Sequence, residues 1–309
     1  MIRTMYPIQT VSRSEFIPIR HLRYHVLQWG TPSPDKTPLV MVHGWMDVAA
    51  SFQFIVDALS NDHWVIAPDW RGFGLTDVPG TDNFWFPDYL ADLDQLLDHY
   101  VGDRPVHLLG HSMGGHVATM YAGIRPERIK KLINLEGFGM PATRPAQAPG
   151  RYAKWMDELK TLHRGELDLK PYASLEAVAQ RLIKTNPRLG IDKAHWLAQH
   201  WAQPNAQGEW RIMGHAAHKV VNAQLFKTDE TLAIYERITA PMLCVVASTD
   251  SMAPWWKERY TLPEFMQRIA AVPHITHAVI QDAGHMLHHD QPEQLAKLID
   301  EFLSLQTVT

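Results

Sequence analysis

Three side chains, Ser112, Asp250 and His285, have the types and the chain order that nucleophilic catalysis by serine requires. A serine hydroxyl is a weak nucleophile at its own pKa, so it needs a base within hydrogen-bonding distance. His285 could take the serine proton and return it to a leaving group, while a carboxylate fixes the imidazole tautomer and stabilises the imidazolium. The order Ser, acid, His differs from the orders found in the two best-known protease families with such triads. These residues predict acyl transfer through a covalent intermediate on Ser112.

Two carboxylates are candidates for the acid of this triad. Asp250 follows the apolar run 241–247, and Glu136 follows the apolar run 129–135. Short apolar runs predict buried strands, and the carboxyl ends of parallel strands meet at one edge of a sheet. Both side chains are therefore expected near the catalytic histidine, and the residue types alone leave the choice open.

The serine must be positioned by the stretch V-H-L-L-G-H-S-M-G-G, which begins at residue 106. The apolar run 106–109 predicts a strand, and the residues after Gly114 have the pattern of a helix. A G-x-S-x-G sequence between a strand and a helix is typical of a strained corner that exposes the serine hydroxyl. The next N–H then lies at a helix N-terminus, where negative charge is favoured.

Strands alternate with helices on either side of this corner, which predicts a parallel sheet with helices on both faces. Two further strands near the N-terminus predict a hairpin at the sheet edge. The predicted strands are residues 15–20, 23–29, 38–42, 64–67, 106–109, 129–135, 241–247 and 276–280.

The alternation stops over residues 138–237, where no clear strand pattern occurs and helical patches follow a proline-rich stretch. A structureless loop of that length is uncommon in a compact domain, so we expect an inserted helical lid. Residues 1–137 and 238–309 would then form the core. The predicted helices are residues 51–59, 86–100 and 291–305 in the core, and 152–164, 175–185, 193–203 and 226–237 in the lid.

Composition narrows the functional classes. The 309 residues are 46% hydrophobic and 20% charged, and the net charge of −4 argues against a nucleic-acid partner. The N-terminus lacks the apolar core of a signal peptide, and no apolar run is long enough to cross a membrane. The single cysteine, Cys244, lies in an apolar run, which predicts a buried core residue. We expect a cytoplasmic enzyme that acts on a small molecule without a cofactor, and the oligomeric state stays open.

Five segments of the sequence resemble the α/β-hydrolase superfamily, specifically its capped serine hydrolases of the esterase and lipase type. They are H-G-W from His43, D-W-R-G-F-G from Asp69, G-H-S-M-G-G from Gly110, S-T-D-S-M-A-P from Ser248 and D-A-G-H from Asp282. The resemblance covers nearly the whole chain and implies an α/β-hydrolase fold with a lid.

The same resemblance implies roles for individual residues. Asp250 is favoured as the acid because its segment is similar to the usual acid loop, with Glu136 as the alternative. The backbone N–H groups of Trp45 and Met113 are the expected oxyanion-hole donors. His43, Trp45 and His111 are expected at the substrate pocket, the two histidines as packing residues behind it, and Asp69 and Arg71 as a structural pair near the oxyanion turn. His288 and His289 follow His285 closely, but no acid or cysteine stands at metal-site spacing, so we predict no metal.

The predicted reaction is hydrolysis of a carboxylic ester or thioester through an acyl-serine. An alternative is a cofactor-independent dioxygenase of N-heteroaromatic rings, whose acid follows the strand that Glu136 would end. Those enzymes carry histidine where Met113 stands. A carbon–carbon bond hydrolase is a further alternative, although its elbow usually has asparagine where His111 stands. A hydrolase-fold protein that binds a small ligand without turnover is the alternative from another class.

Overall fold

A computed structural model describes residues 5–60 and 62–305. In this part of the chain, eight strands form one sheet in the order β1-β2-β4-β3-β5-β6-β9-β10. β1 and β2 pair antiparallel, as do β2 and β4, and the neighbours from β4 to β10 are parallel. The strands of the chain are β1 (Arg13–Ile19), β2 (Leu22–Trp29), β3 (Leu39–Val42), β4 (Val65–Pro68), β5 (Val106–His111), β6 (Ile129–Leu135), β7 (Ala202–Pro204), β8 (Trp210–Ile212), β9 (Met242–Ala247) and β10 (Ile275–Ile280).

Helices cover both faces of this sheet, and an apolar core lies on each face. The central strands are buried throughout, which is why they appear in the sequence as continuous apolar runs. The helices are α1 (Gln53–Ala58), α2 (Phe86–Val101), α3 (Met113–Ile124), α4 (Ala148–His163), α5 (Leu175–Thr185), α6 (Ile191–Trp201), α7 (Thr228–Tyr235), α8 (Ala253–Trp256), α9 (Leu262–Ile269), α10 (Leu287–Asp290) and α11 (Pro292–Ser304).

The architecture confirms the predicted α/β class, including the antiparallel hairpin at the sheet edge. The carboxyl ends of β5, β6, β9 and β10 lie side by side, so the loops that follow them share one edge of the sheet. This edge brings together residues that are far apart in the sequence.

The chain between β6 and β9 adds no strand to the main sheet. The segment contains α4 to α7, but it also contains the small antiparallel pair β7–β8, which the sequence analysis did not predict. In addition, α7 packs on the core helix α3: a Cβ on Gly123 would lie 2.0 Å from the carbonyl oxygen of Ile234. The segment for which a lid is predicted therefore includes a helix that packs directly on the core.

The inserted segment is also fastened to the loop after β4. Gly74 N–H donates to the Met213 carbonyl (2.9 Å), and His215 N–H donates to the Gly72 carbonyl (2.8 Å). The His218 ring stacks between Phe73 and Phe84, with centroid distances of 3.8 and 3.6 Å. Aromatic stacking of this kind contributes about 0.5–1.5 kcal/mol per pair beyond burial. These contacts hold the inserted segment beside the H-G-W turn.

Asp69 and Arg71 do not form the predicted pair. Asp69 contacts His25 (Oδ2 to Nδ1, 2.7 Å), whereas the Arg71 guanidinium makes two hydrogen bonds to Asp92 (2.6 and 2.8 Å). Each of the two side chains therefore ties this loop to a different element, Asp69 to β2 and Arg71 to α2. Among the described residues, no helix is long and apolar enough to cross a membrane.

Candidate active site

Ser112 lies at the corner between β5 and α3 with φ 53° and ψ −117°. A residue other than glycine rarely adopts positive φ, and such strain is concentrated at functional sites. The corner is tight on both sides: a Cβ on Gly110 would lie 2.2 Å from the Gly114 carbonyl oxygen. A Cβ on Gly114 would lie equally close to the Val42 carbonyl oxygen. Only glycine fits at these two positions, which explains the G-x-S-x-G spacing.

The structure brings His285 to Ser112. The loop after β10 places His285 Nε2 2.9 Å from Ser112 Oγ. The other ring nitrogen, Nδ1, lies 2.9 Å from Glu136 Oε2. An Nδ1–H that donates to a carboxylate leaves Nε2 free to accept the serine proton. The three side chains form one continuous chain of hydrogen bonds from hydroxyl to carboxylate.

Glu136 is held rigidly at the end of β6. It is buried, and its backbone has a φ of 53°. Its Oε1 accepts the Ala247 N–H (2.7 Å), and its Oε2 accepts the Ser251 hydroxyl as well as His285. Three donors thus satisfy the hydrogen-bonding capacity of the buried carboxylate and fix its position. Ser251 is a contributor that the sequence analysis missed, since nothing in its spacing marks it.

Asp250, which the sequence favours as the acid, makes no hydrogen bond to His285; the carboxylate that does so is Glu136, the alternative. Its side chain is exposed, and Oδ1 accepts the N–H groups of Met252 (2.9 Å) and Ala253 (3.2 Å). An aspartate just before a helix commonly satisfies the free N–H groups of the first turn. Asp250 therefore organises the start of α8, and the Ser251 beside it reaches the acid.

The H-G-W turn lies against the serine. A Cβ on Gly44 would lie 3.0 Å from the Ser112 Cβ, so the backbone of this turn approaches the nucleophile closely. Met113 begins α3, where an N–H lacks a helical acceptor. The Trp45 N–H donates to no other described residue. These are the two groups that the sequence analysis expected to bind an oxyanion.

The three expected pocket residues differ in exposure. The Trp45 side chain is 44% exposed, whereas His43 and His111 are fully buried. His43 Nε2 accepts the Trp70 N–H (2.9 Å), and burial lowers the pKa of His43 to about 4. His111 donates through Nε2 to the His285 carbonyl (2.8 Å). Both histidines are buried, so neither presents its ring at the protein surface.

A second polar cluster lies behind His285. Asp47, His111 and His288 are buried and offer nitrogen and oxygen atoms within 4.8 Å of one another. Burial raises the pKa of Asp47 to about 7, and it holds the pKa values of His111 and His288 well below the usual range. The sequence predicts no metal here, because no acid or cysteine stands at metal-site spacing from these histidines. The fold brings Asp47 to His111 and His288 from a distant segment of the chain.

The fold and this site define a hydrolase of the α/β type. The family of the alpha/beta hydrolase fold matches residues 37–292, so the chain belongs to the α/β-hydrolase family. The predicted family is thereby confirmed.

The chain is similar over nearly its full length to curated relatives. It is 26% identical over 302 residues to a serine hydrolase-like protein of Danio rerio, covering 95% of this chain and 89% of the relative. It is 24% identical over 284 residues to human serine hydrolase-like protein 2, and this alignment covers 89% of this chain and 88% of the relative.

Solved structures give the same fold. A thioesterase domain from the curacin biosynthetic pathway superposes with a TM-score of 0.79 at 23% identity, covering 94% of this chain and 99% of that domain. A hypothetical protein of Pseudomonas aeruginosa superposes with a TM-score of 0.82, also at 23% identity, covering 96% of this chain and 100% of that protein. At this level of identity the likeness concerns the fold alone.

Proposed function

We propose that the chain is a serine hydrolase that cleaves a carboxylic ester or thioester through an acyl-serine intermediate. The observation that carries this proposal is the hydrogen-bond chain from Ser112 Oγ through His285 to Glu136, with 2.9 Å at each step. A serine at a strained elbow, bound to a histidine that is itself bound to a buried carboxylate, is the arrangement of an activated nucleophile.

In the proposed reaction, Ser112 Oγ attacks the substrate carbonyl carbon while its proton passes to His285 Nε2. The N–H groups of Met113 and Trp45 would bind the oxyanion of the tetrahedral intermediate. Collapse of this intermediate breaks the bond to the alcohol or thiol, which takes the proton from His285. Water, activated by His285, then releases the acid and regenerates Ser112. Glu136 holds the imidazole tautomer and stabilises the imidazolium in both halves.

An apolar acyl group suits the surroundings of His285. The Phe138 ring lies beside the imidazole, with 6.4 Å between the centroids, and Trp256 packs edge-on against Phe138. The exposed Trp45 ring belongs to a residue whose backbone N–H is one of the expected oxyanion donors. Aromatic side chains bind apolar substrate groups through buried area. The names of the serine hydrolase-like relatives agree with this reaction class.

A fluorophosphonate probe tests the proposal, because it labels activated serines. We expect one adduct per chain, located on Ser112, and no adduct in Ser112→Ala or His285→Ala. Ser248→Ala is the matched control, since Ser248 is exposed and lies outside the hydrogen-bond chain. A panel of p-nitrophenyl esters and acyl thioesters would then define the acyl length. Absence of an adduct on folded protein would refute an activated serine.

One observation favours a second candidate, the cofactor-independent dioxygenase. The carboxylate on His285 comes from the strand after the elbow, which is where those enzymes carry their acid. Met113 argues against it, because those enzymes have histidine there. Oxygen uptake with 3-hydroxy-4-quinolones that survives Ser112→Ala would support the dioxygenase. Ligand binding without turnover, unchanged by Ser112→Ala, would support a non-catalytic binding protein.

The lid and the cellular location are further parts of the proposal. Residues 138–237 would act as a cap that encloses a small-molecule substrate, with α7 as its fixed end.

A cytoplasmic location fits a chain with a single buried cysteine. Cell fractionation with an antibody against the chain tests the location.

A further inference from the structure

The cluster behind His285 contains unpaired polar atoms in a closed space. Asp47 Oδ2, His111 Nδ1 and both ring nitrogens of His288 have no hydrogen-bond partner among the described residues. The side chains of His111 and His288 are 1% and 0% exposed, and Asp47 is 3% exposed. Buried polar atoms of folded proteins are nearly always paired, so four unpaired atoms at one place call for an occupant.

The surrounding contacts leave one atom of His111 and one atom of Asp47 free to bind a ligand. His111 Nε2–H donates to the His285 carbonyl (2.8 Å), which leaves the lone pair of Nδ1 free. The other carboxylate oxygen, Asp47 Oδ1, accepts the Val48 N–H (2.9 Å) and the Ser51 hydroxyl (2.5 Å). The Ser51 oxygen in turn lies 2.9 Å from His289 Nε2. A histidine that donates its far N–H to a carbonyl, and a carboxylate fixed through its far oxygen, are the usual supports of metal ligands.

We propose that Asp47 Oδ2, His111 Nδ1 and His288 Nε2 bind one divalent transition-metal ion of the zinc kind. His288 Nε2 lies 3.9 Å from Asp47 Oδ2. Ligand atoms around a tetrahedral zinc ion lie about 3.3 Å apart, so a small inward movement of the side chains closes the site. Two imidazoles and one carboxylate suit zinc, and a fourth position stays open for water. This proposal is independent of the ester hydrolysis proposed above.

A metal ion at this site would link the loop that carries His285 to the H-G-W turn, at the sheet edge where the proposed triad lies. Asp47 follows the H-G-W turn, His111 precedes the nucleophile, and His288 follows the catalytic histidine by three residues. An ion bound to all three would fix the loop of His285 to the oxyanion turn through the His111 contact. The competing partners of Asp47 are a water molecule and the Trp201 indole N–H, which has no other partner among the described residues and lies where it can donate to the Asp47 carboxylate.

Zinc binding by the purified, chelator-treated full chain tests the proposal. Because the cluster is buried, the protein is incubated with ZnCl₂ for many hours, freed of loose metal, and analysed for bound zinc and thermal unfolding. We expect one zinc per chain and a rise in Tm of about 5 °C at a free concentration near 100 times Kd.

Variants separate this site from surface histidines. His288→Leu and Asp47→Asn should bind no zinc at the site and show no rise in Tm. His288→Leu also removes two unpaired buried nitrogens, so it should fold at least as stably as the wild type without metal. His277→Gln is the control, because His277 is exposed on β10 and is not one of the three proposed ligands. Equal zinc binding in all variants, or no bound zinc in the wild type, would overturn the proposal.

Discussion

Replacement of Glu136 by glutamine tests the identity of the acid most directly. In the wild type, Oε1 accepts the Ala247 N–H, and Oε2 accepts both Ser251 and His285 Nδ1. In Glu136→Gln, the amide oxygen can keep the Ala247 bond only if the NH₂ group faces Ser251 and His285. The Ser251 hydroxyl can rotate and accept a proton, but His285 can accept only through an unprotonated Nδ1.

That change places the proton of the neutral imidazole on Nε2, the atom that must accept the Ser112 proton. The imidazolium also loses a carboxylate 2.9 Å away. Loss of a triad carboxylate with the geometry kept reduces kcat by about 10⁴ in serine proteases. We expect a decrease of about 10³–10⁴ here, which corresponds to about 4–5.5 kcal/mol of transition-state stabilisation.

Asp250→Asn is the matched control. Its amide oxygen can still accept the N–H groups of Met252 and Ala253, so we expect kcat to change by less than about twofold. Both variants would be assayed with the best ester from the panel, together with the rate of fluorophosphonate labelling and circular dichroism for folding. The reasoning is refuted if Asp250→Asn loses activity a thousandfold while Glu136→Gln keeps more than a tenth of it.

Three further predictions concern a glycine beside the serine and two buried polar side chains. Gly44→Ala should lower kcat by about 10–10² with the fold intact, because its Cβ would press on the nucleophile from 3.0 Å; wild-type kinetics would refute it. Burial lowers the pKa of His116 to about 4, so the unfolded chain binds the proton first and the fold loses stability as pH falls from 6.5. The free energy of unfolding should therefore drop about 2 kcal/mol less between pH 7.5 and 5 in His116→Leu than in the wild type, and equal drops in urea titrations would contradict this. Asp92→Asn should lower the free energy of unfolding by about 3 kcal/mol, since it removes the main buried partner of Arg71 while Asp88 remains 3.1 Å away; an unchanged urea midpoint would exclude it.

The main sheet could be predicted because its strands are marked by local sequence. Strands buried on both faces must be apolar at every position, as in Leu39–Val42 and Met242–Ala247. The pair β7–β8 has no such mark, because Trp210–Ile212 has only three residues and is partly exposed. The packing of α7 on α3 depends on the missing side chain of Gly123, and a single glycine in a helical pattern does not tell which partner approaches it.

Local sequence patterns do not determine which carboxylate bonds to the catalytic histidine of the proposed triad. Glu136 and Asp250 follow neighbouring parallel strands, so both were candidates on type and position. The β6–β9 register decides between them: the Glu136 N–H donates to the Val245 carbonyl, which sets its side chain level with Ala247 and inside the sheet edge. Asp250 lies three residues beyond that level, where the first N–H groups of α8 bind it. The same limit applies to Asp47, whose nearness to His288 arises only when the loops after β3 and β10 meet. Contacts between loops at one sheet edge therefore determine both the acid of the proposed triad and the donor set behind it.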